Sequence, residues 1–288
     1  MKAVFKHELS SHFTGLTGYV FGAFLLLFTG IYVLAYNLVR YYTNFEYVLG
    51  GMSFVFLVII PILTMRVLAE ERHQKTDQLL YSLPISMTEV VLGKYLAMLV
   101  VFAIPVAIIS LYPLVLSSYG DVYLPMAYST IGGFFLLGAV LIAMGTFVSS
   151  VTESQAVSAG LCFVAMLINY FLADLAGFVS TAPTASLIAV SITVILVAVI
   201  VRLLTKNTTV ALGAAVVLEG VALIVYLAKS SVFEGLFPNV LKALSLYEHF
   251  YSLLDGVLDI GSIVYYISAI AVLLFLSVQS MEKRRWSE

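Results

Sequence analysis

MRVLAEERHQKTDQLLYSLP, from Met65 to Pro84, is a charged stretch set between long apolar runs. Arg, Lys and Asp side chains each cost about 2.5–3.5 kcal/mol at the centre of a bilayer, so we expect this stretch to lie in water. Strong helix formers dominate it, and no Gly or Pro interrupts it before Pro84. The sequence therefore predicts a helix over residues 69–84 that is joined to membrane spans on both sides. Its charged residues are Arg66, Glu70, Glu71, Arg72, Lys75 and Asp77, with His73 when protonated.

Composition assigns the chain to the membrane. Hydrophobic residues make up 62% of its 288 residues and charged residues 10%, with a mean hydropathy of +1.07. A soluble domain carries about 25% charged residues, so these values indicate an integral membrane protein. The single cysteine, Cys162, lies in an apolar run and has no partner for an internal disulfide. The first apolar run, residues 15–36, is longer than the apolar core of a signal peptide, and we interpret it as a retained span.

Eight apolar runs are long enough to cross a bilayer as helices. They comprise residues 15–36, 50–68, 88–116, 125–148, 156–175, 185–204, 210–228 and 262–280. The predicted fold class is therefore all-α, a polytopic helical bundle that forms one transmembrane domain over residues 1–288. If the sixth and seventh runs form a re-entrant pair, six spans remain and the sidedness is unchanged.

The distribution of basic residues sets the orientation. Of the fourteen Lys and Arg residues, eleven fall on the side of the charged stretch and three on the other. Because Lys and Arg are enriched in cytoplasmic segments, both termini and the charged helix are predicted to be cytoplasmic. Residues 1–14 read as an interfacial helix, with Phe5, Leu9 and Phe13 on one face. Residues 229–261 read as an extracytoplasmic loop with amphipathic or re-entrant helices.

Polar residues and prolines inside the spans are candidates for function. An ionisable residue within a span, such as Glu219, is a candidate for the substrate path. The alternatives are a hydrogen bond to a neighbouring helix or a position at a water-filled re-entrant loop. Asn169 has two interpretations, a substrate contact or a bond between helices. Pro61, Pro105 and Pro113 each free a backbone carbonyl and are hinge candidates.

Motifs for nucleotide and metal chemistry are missing from the sequence. There is no G-x-x-x-x-G-K-[ST] phosphate loop and no H-E-x-x-H zinc motif, and the four histidines are dispersed. No cofactor, metal or nucleic acid is therefore expected on this chain. The Glu70-Glu71 pair resembles that of some intramembrane proteases, but Lys75 stands where an Arg would be needed and no His lies in the core of a later span.

The chain resembles the membrane subunit of ABC-2 type transporters, nearest to the gliding-motility and copper-processing type permeases. Three places carry the likeness along nearly the whole chain. They are residues 6–19; the charged stretch with its flanks, residues 63–94; and residues 256–286, which include Gly256-Val-Leu-Asp259 and Arg284-Arg-Trp286.

The resemblance implies a permease of the bacterial plasma membrane that exports a substrate. It also implies that residues 69–84 form a coupling helix seated in a groove of a separate cytoplasmic ABC ATPase, which binds the ATP and Mg²⁺. Two ATPase copies would serve two permease copies in the bilayer, and an extracytoplasmic accessory protein could join them. The residues implied at the ATPase contact are Glu70, Glu71, Arg72, His73, Lys75, Thr76, Asp77 and Leu80.

Two further hypotheses belong to other classes of protein. In the first, ATPase-driven motion passes to an extracytoplasmic partner through residues 229–261, and nothing is transported. In the second, the chain is an intramembrane enzyme that uses Glu70, Glu71 or Glu219. An ATPase rate that depends on a substrate would favour the transporter, whereas a rate that depends on a partner protein would favour the transmitter.

Overall fold

A computed structural model describes residues 1–74, 85–205, 208–254 and 259–285 of the chain. These residues are almost entirely helical and contain no strand. The helices are α1 Lys2–Thr14, α2 Thr17–Val33, α3 Glu46–Thr64, α4 Ala69–His73, α5 Met87–Ile109, α6 Tyr112–Leu116, α7 Leu124–Val151, α8 Gln155–Phe178, α9 Pro183–Thr205, α10 Thr208–Ala228, α11 Leu236–Leu244, α12 Leu246–Leu254 and α13 Ile260–Arg285. A π-helical segment, Leu34–Val39, extends α2, and a 3₁₀ turn, Ser230–Phe233, precedes α11.

Six segments of the described chain are long and apolar enough to cross a membrane, which confirms an all-α polytopic membrane protein. They are Thr17–Val39, Glu46–His73, Met87–Leu116, Leu124–Val151, Gln155–Phe178 and Ile260–Arg285. The sixth and seventh predicted spans are the helices α9 and α10, which pack against each other. The end of α10 and the segment Ser230–Leu244 form a pair bent by 117°, so up to seven spans fit the described residues.

The chain divides into two compact units, residues 1–168 with 249–288 and residues 169–248. The first unit has a core of aromatic side chains from α3, α5 and α7. The Phe56 ring lies 4.4 Å from the Phe134 ring and 5.7 Å from the Phe102 ring, measured between centroids, and all three side chains are fully buried. Lipid tails are as apolar as these rings, so close packing rather than the exclusion of water holds the helices together.

Glycines on α7 allow this close packing. A Cβ on Gly138 would lie 2.3 Å from the Phe102 ring, and a Cβ on Gly145 would lie 2.2 Å from the Thr64 hydroxyl. Two glycines of α7 thus meet side chains of α5 and α3. Gly132, on the same helix, has no atom within 4 Å of the added carbon.

The prolines occupy two kinds of position. Pro61 and Pro105 lie inside α3 and α5, where each removes an N–H from the helical ladder. Pro113 is different, because α5 ends at Ile109 and Pro113 lies in the first turn of α6, where a helix has no N–H bond to lose. A helix break therefore precedes Pro113 within the candidate span Met87–Leu116, and the hinge role of Pro113 stays a prediction.

The second unit contains α9, α10 and α11. The sequence pattern predicts an amphipathic helix from Phe233 onward, and α11 begins instead at Leu236. Gly235 precedes it with φ +66°, a left-handed conformation that glycine adopts at little cost, and its N–H donates to the Thr181 carbonyl at 2.9 Å.

Candidate coupling site

Helix α4 lies in the charged stretch and is anchored at its start. The hydroxyl oxygen of Ser149, on α7, accepts the backbone N–H groups of Leu68 at 3.1 Å and Ala69 at 3.0 Å. The first N–H groups of a helix have no partner within the helix, so this side chain acts as an N-cap supplied by another helix. Because Ser149 is fully buried, the start of α4 is held against α7.

The far side of α4 is held by a buried arginine. The Arg72 side chain is 7% exposed, and its guanidinium donates to the Thr152 carbonyl at 3.1 Å and contacts the Met281 sulfur at 3.3 Å. Thr152 is the C-terminal cap of α7, where the helix dipole favours a positive charge. Arg72 therefore ties α4 to the end of α7 and to α13.

Helix α13 binds the same end of α7. The Arg284 guanidinium donates to the Val151 carbonyl at 3.2 Å and forms an ion pair with Glu153 at 2.9 Å. The Ser280 hydroxyl donates to the Ser150 carbonyl at 3.0 Å. The last carbonyls of α7 are thus satisfied by side chains from α4 and α13, which fixes the three elements to one another.

A buried lysine joins α4 to α1 and α5. Lys94 lies two turns into α5 with 2% of its side chain exposed, and its ammonium has three acceptors. It donates to the Glu8 carboxylate of α1 at 2.5 Å, to the Glu71 carboxylate of α4 at 2.7 Å and to the Val67 carbonyl at 2.9 Å. All three ammonium hydrogens are therefore used, as burial of a charge requires. We call Lys94, Glu8 and Glu71 the Lys94 network.

Both ends of the described chain lie near this site. The N-terminal amine of Met1 is 3.6 Å from the Glu89 carboxylate at the start of α5, and Arg284 lies near the end of α13. The Met1 amine and Arg284 therefore both lie at the end of the first unit that carries α4. That this end faces the cytoplasm stays a prediction from the Lys and Arg distribution.

A polar cavity of about 440 Å³ lies between α1 and α4. It is lined by the Lys94 network and by His12, which is 8% exposed and whose Nε2 makes no hydrogen bond in the described chain. Burial lowers the pKa of His12, while the neighbouring Glu8 opposes this shift and Lys94 adds to it. His12 is therefore held neutral on the inner face of α1.

This histidine predicts a pH dependence of stability. Its pKa is below 6.5 in the folded state and close to 6.5 in the unfolded state, so only unfolding allows it to take up a proton between those values. We expect the melting temperature of the purified protein to fall as pH drops below about 6.5, and the fall to be smaller in His12→Gln. The neighbouring exposed histidine provides the control, since His7→Gln should leave the wild-type curve intact. Equal slopes in wild type and His12→Gln would contradict the assignment.

The structure narrows the predicted set of ATPase contacts. Glu70 is partly exposed and forms an ion pair with Arg66 at 3.1 Å, while His73 is exposed. Arg72 and Glu71 point inward, so we remove both from the set of direct contacts and assign them to anchoring α4. The remaining candidates, Lys75, Thr76, Asp77 and Leu80, lie outside the described residues.

Of the predicted helix over residues 69–84, the structure describes the first part, and residues 75–84 lie outside the described residues. α4 ends at His73, and Gln74 follows as its C-cap. The helix is five residues long, Ala69–His73, which is little more than one turn. Its short length makes the anchors at Ser149 and Arg72 the main source of its fixed position.

Asn169 has a structural role. Its side-chain amide donates to the Leu244 carbonyl at 3.1 Å, and its side-chain oxygen accepts the Leu246 N–H at 2.9 Å. These bonds satisfy the backbone at the break between α11 and α12. These bonds favour the interpretation of Asn169 as a bond between helices, and a substrate contact by Asn169 stays a prediction.

Glu219 has a partner across the α9–α10 pair. The hydroxyl of Ser191, on α9, donates to one of its carboxylate oxygens, and the other oxygen is buried without a hydrogen bond in the described chain. A bond to a neighbouring helix is one of the interpretations of this residue. Its place in a substrate path stays a prediction.

The sequence did not predict the Lys94 network or the cap by Ser149. One signal was present, because Lys94 interrupts the apolar run of α5. A lysine at such a place needs an acid, but its acids lie 86 and 23 residues away along the chain. The pairing becomes visible only when α1, α4 and α5 are assembled.

The family model described as ABC-2 family transporter protein matches residues 39–188. This stretch covers just over half of the 288 residues and includes α3, α4, α5 and α7. The chain belongs to the ABC-2 transporter family. As an ABC-2 permease it is the membrane subunit of an ABC transporter, it associates with an ABC ATPase and it is not itself the ATPase.

The match confirms the family that the sequence resembles. The gliding-motility and copper-processing subgroup of ABC-2 permeases stays a prediction, because the match names the ABC-2 family alone. A comparison with curated proteins finds no significant match. Within the matched stretch lie Ser149, Arg72 and Lys94, so the anchored α4 is part of the family region.

Proposed function

We propose that this ABC-2 permease exports a substrate and is driven by its ATPase through α4 and the residues that follow it. The observation that supports this most is the double attachment of α4, by the Ser149 cap and by Arg72. A loop that merely connects two spans needs no such anchoring. A segment on which a partner pushes needs it, because load on α4 must reach the spans without being lost in local bending.

In this mechanism two ATPase copies close on ATP and Mg²⁺, which are bound by the ATPase and not by this chain. Their closure displaces α4 in each of two permease copies. The end of α7 and the end of α13 move with α4 because Arg72 and Arg284 hold all three together. The spans then change between two packings, with Pro61 and Pro105 as the points where α3 and α5 yield.

The same proposal includes the direction of transport, the membrane in which the permease lies and the path of the substrate. Export across the bacterial plasma membrane follows from the resemblance of the charged stretch and the two chain ends. The substrate would pass between two copies of the chain, and Glu219 is the residue that we assign to its path. An accessory protein on the far side would bind the segment around α11, whose Val240 and Leu244 side chains are exposed.

Charge reversal in the charged stretch tests the ATPase contact. We expect Glu70→Lys/Asp77→Lys to lower the amount of ATPase that co-purifies with the permease by at least about tenfold, since like charges across an interface cost several kcal/mol. Folding should be normal, because the exposed Arg66–Glu70 ion pair contributes about 0–1 kcal/mol. The measurement is the ATPase-to-permease ratio after purification in mild detergent.

The control carries the same kind of change on an exposed residue of the other unit. Glu234→Lys should retain the wild-type ratio. A well-folded double variant that keeps its full complement of ATPase would place the contact elsewhere on the permease.

A further inference from the structure

Burying the charges of the Lys94 network costs desolvation free energy that apolar side chains would not cost if the network only held helices together. Lys94 is 2% exposed, and the two carboxylates that it binds are mostly buried. Removing such charges from water costs several kcal/mol per ion, and well-packed apolar side chains commonly replace a buried ion pair without loss of stability. An ionic arrangement here therefore indicates a requirement for directional bonds between particular segments.

The bonds of Lys94 join α1 and α4 to the same residue of α5. Glu8 belongs to α1, which lies against α5 and α2, and Glu71 belongs to α4. Between α1 and α4 lies the polar cavity, so little direct side-chain packing fills the space there. The Lys94 ammonium bridges this space, because its nitrogen lies 2.5 Å from the Glu8 carboxylate on α1 and 2.7 Å from the Glu71 carboxylate on α4.

We propose that Lys94 is a positioning residue that makes α1 move together with α4 during the ATPase cycle. The inference rests on the proposed function, because it requires that the ATPase displaces α4. Displacement of Glu71 pulls the ammonium, and the ammonium pulls Glu8 and with it α1. A displacement of α4 thereby moves α1, the helix before α2, as well as α7 and α13.

The test severs the link to α1 and leaves the link to α4. Glu8→Met keeps the Lys94–Glu71 ion pair and the bond to the Val67 carbonyl, so the lysine remains paired. Glu89→Met is the matched control, since Glu89 pairs with the amine of Met1 at 3.6 Å, is half exposed and does not contact α4. Both variants are assembled with the ATPase, and amide hydrogen exchange is followed with and without a non-hydrolysable ATP analogue.

In the wild-type complex we expect the nucleotide to change exchange rates in both α4 and α1, by at least about fivefold in α1, the low end of coupling between two sites. In Glu8→Met the change should persist in α4 and disappear from α1. In Glu89→Met both changes should persist. A second variant, Lys94→Met/Glu8→Gln/Glu71→Gln, removes all three charges together and should give the same result as Glu8→Met.

The outcomes separate the inference from the proposed function. If α4 does not respond to nucleotide in the wild-type complex, the proposed function fails. If α4 responds and α1 does not, or if α1 responds equally in wild type and Glu8→Met, the proposed function stands and Lys94 has no role in transmission.

Discussion

Lys94→Met is expected to lower the free energy of unfolding by about 3–5 kcal/mol, the cost of leaving a buried charge without its partner. The variant leaves Glu8 and Glu71 facing each other across the vacated position, and both were paired with the same ammonium at 2.5 and 2.7 Å. The loss should appear as a lower melting temperature in detergent and as a smaller monodisperse fraction on size exclusion.

The control for this prediction removes the acids as well. In Lys94→Met/Glu8→Gln/Glu71→Gln no buried charge remains, and most of the lost stability should return. If the single and the triple variant are equally unstable, the lysine acts through its packing. If Lys94→Met melts like the wild type, the buried network does not exist in the folded protein.

Gly138→Ala is expected to destabilise the helix bundle by about 1–3 kcal/mol, the usual cost of overpacking a filled core. The new Cβ would lie 2.3 Å from the Phe102 ring, which is stacked on Phe135 and packed against Phe56 and so has little freedom to withdraw. Either α5 and α7 separate or the aromatic cluster rearranges. Thermal unfolding in detergent measures the effect.

Gly132→Ala on the same helix is the matched control. Its Cβ meets no atom within 4 Å, so the substitution should leave stability unchanged or raise it by up to about 1 kcal/mol through helix propensity. Similar melting temperatures for Gly138→Ala and Gly132→Ala would show that α7 does not approach α5 as closely as described.

The fold was largely predictable because long apolar runs in the sequence indicate where its helices lie. The eight apolar runs fall on α2, α3, α5, α7, α8, α9, α10 and α13, and six segments of the described chain are long and apolar enough to cross a membrane. Length and apolarity act locally, so they can be read without knowledge of partners. The helix break within the third run was not predicted: α5 ends at Ile109, and Pro113 lies in the first turn of α6.

The candidate site was predictable in place but not in detail. The charge density between Arg66 and Asp77 marks it in the sequence, and Glu70, Glu71 and Arg72 look alike there. The structure separates them, with Glu70 at the surface, Glu71 on Lys94 and Arg72 on the end of α7. This difference depends on which face of a short helix meets α5, α7 and α13, and no sequence pattern within the stretch encodes it.

Asn169 and Glu219 show the same limit in the second unit. Each is a polar residue in an apolar run, and the sequence leaves more than one interpretation open for both. The bonds of Asn169 to the backbone of residues 244 and 246 favour its interpretation as a bond between helices. Glu219 has one oxygen bound by Ser191 and one without a hydrogen bond in the described chain, so its role in transport has to be tested by function.

The central claim is that this permease works as the membrane subunit of an ATP-driven transporter through an anchored α4. The most direct test is the wild-type arm of the charge-reversal experiment, purification of the chain from its native membranes in mild detergent with mass spectrometry of the proteins that accompany it. We predict a phosphate-loop ATPase in roughly equal amount, whose recovery falls in Glu70→Lys/Asp77→Lys. A chain that purifies alone at native levels in several detergents would contradict the claim and leave the anchoring of α4 without a purpose.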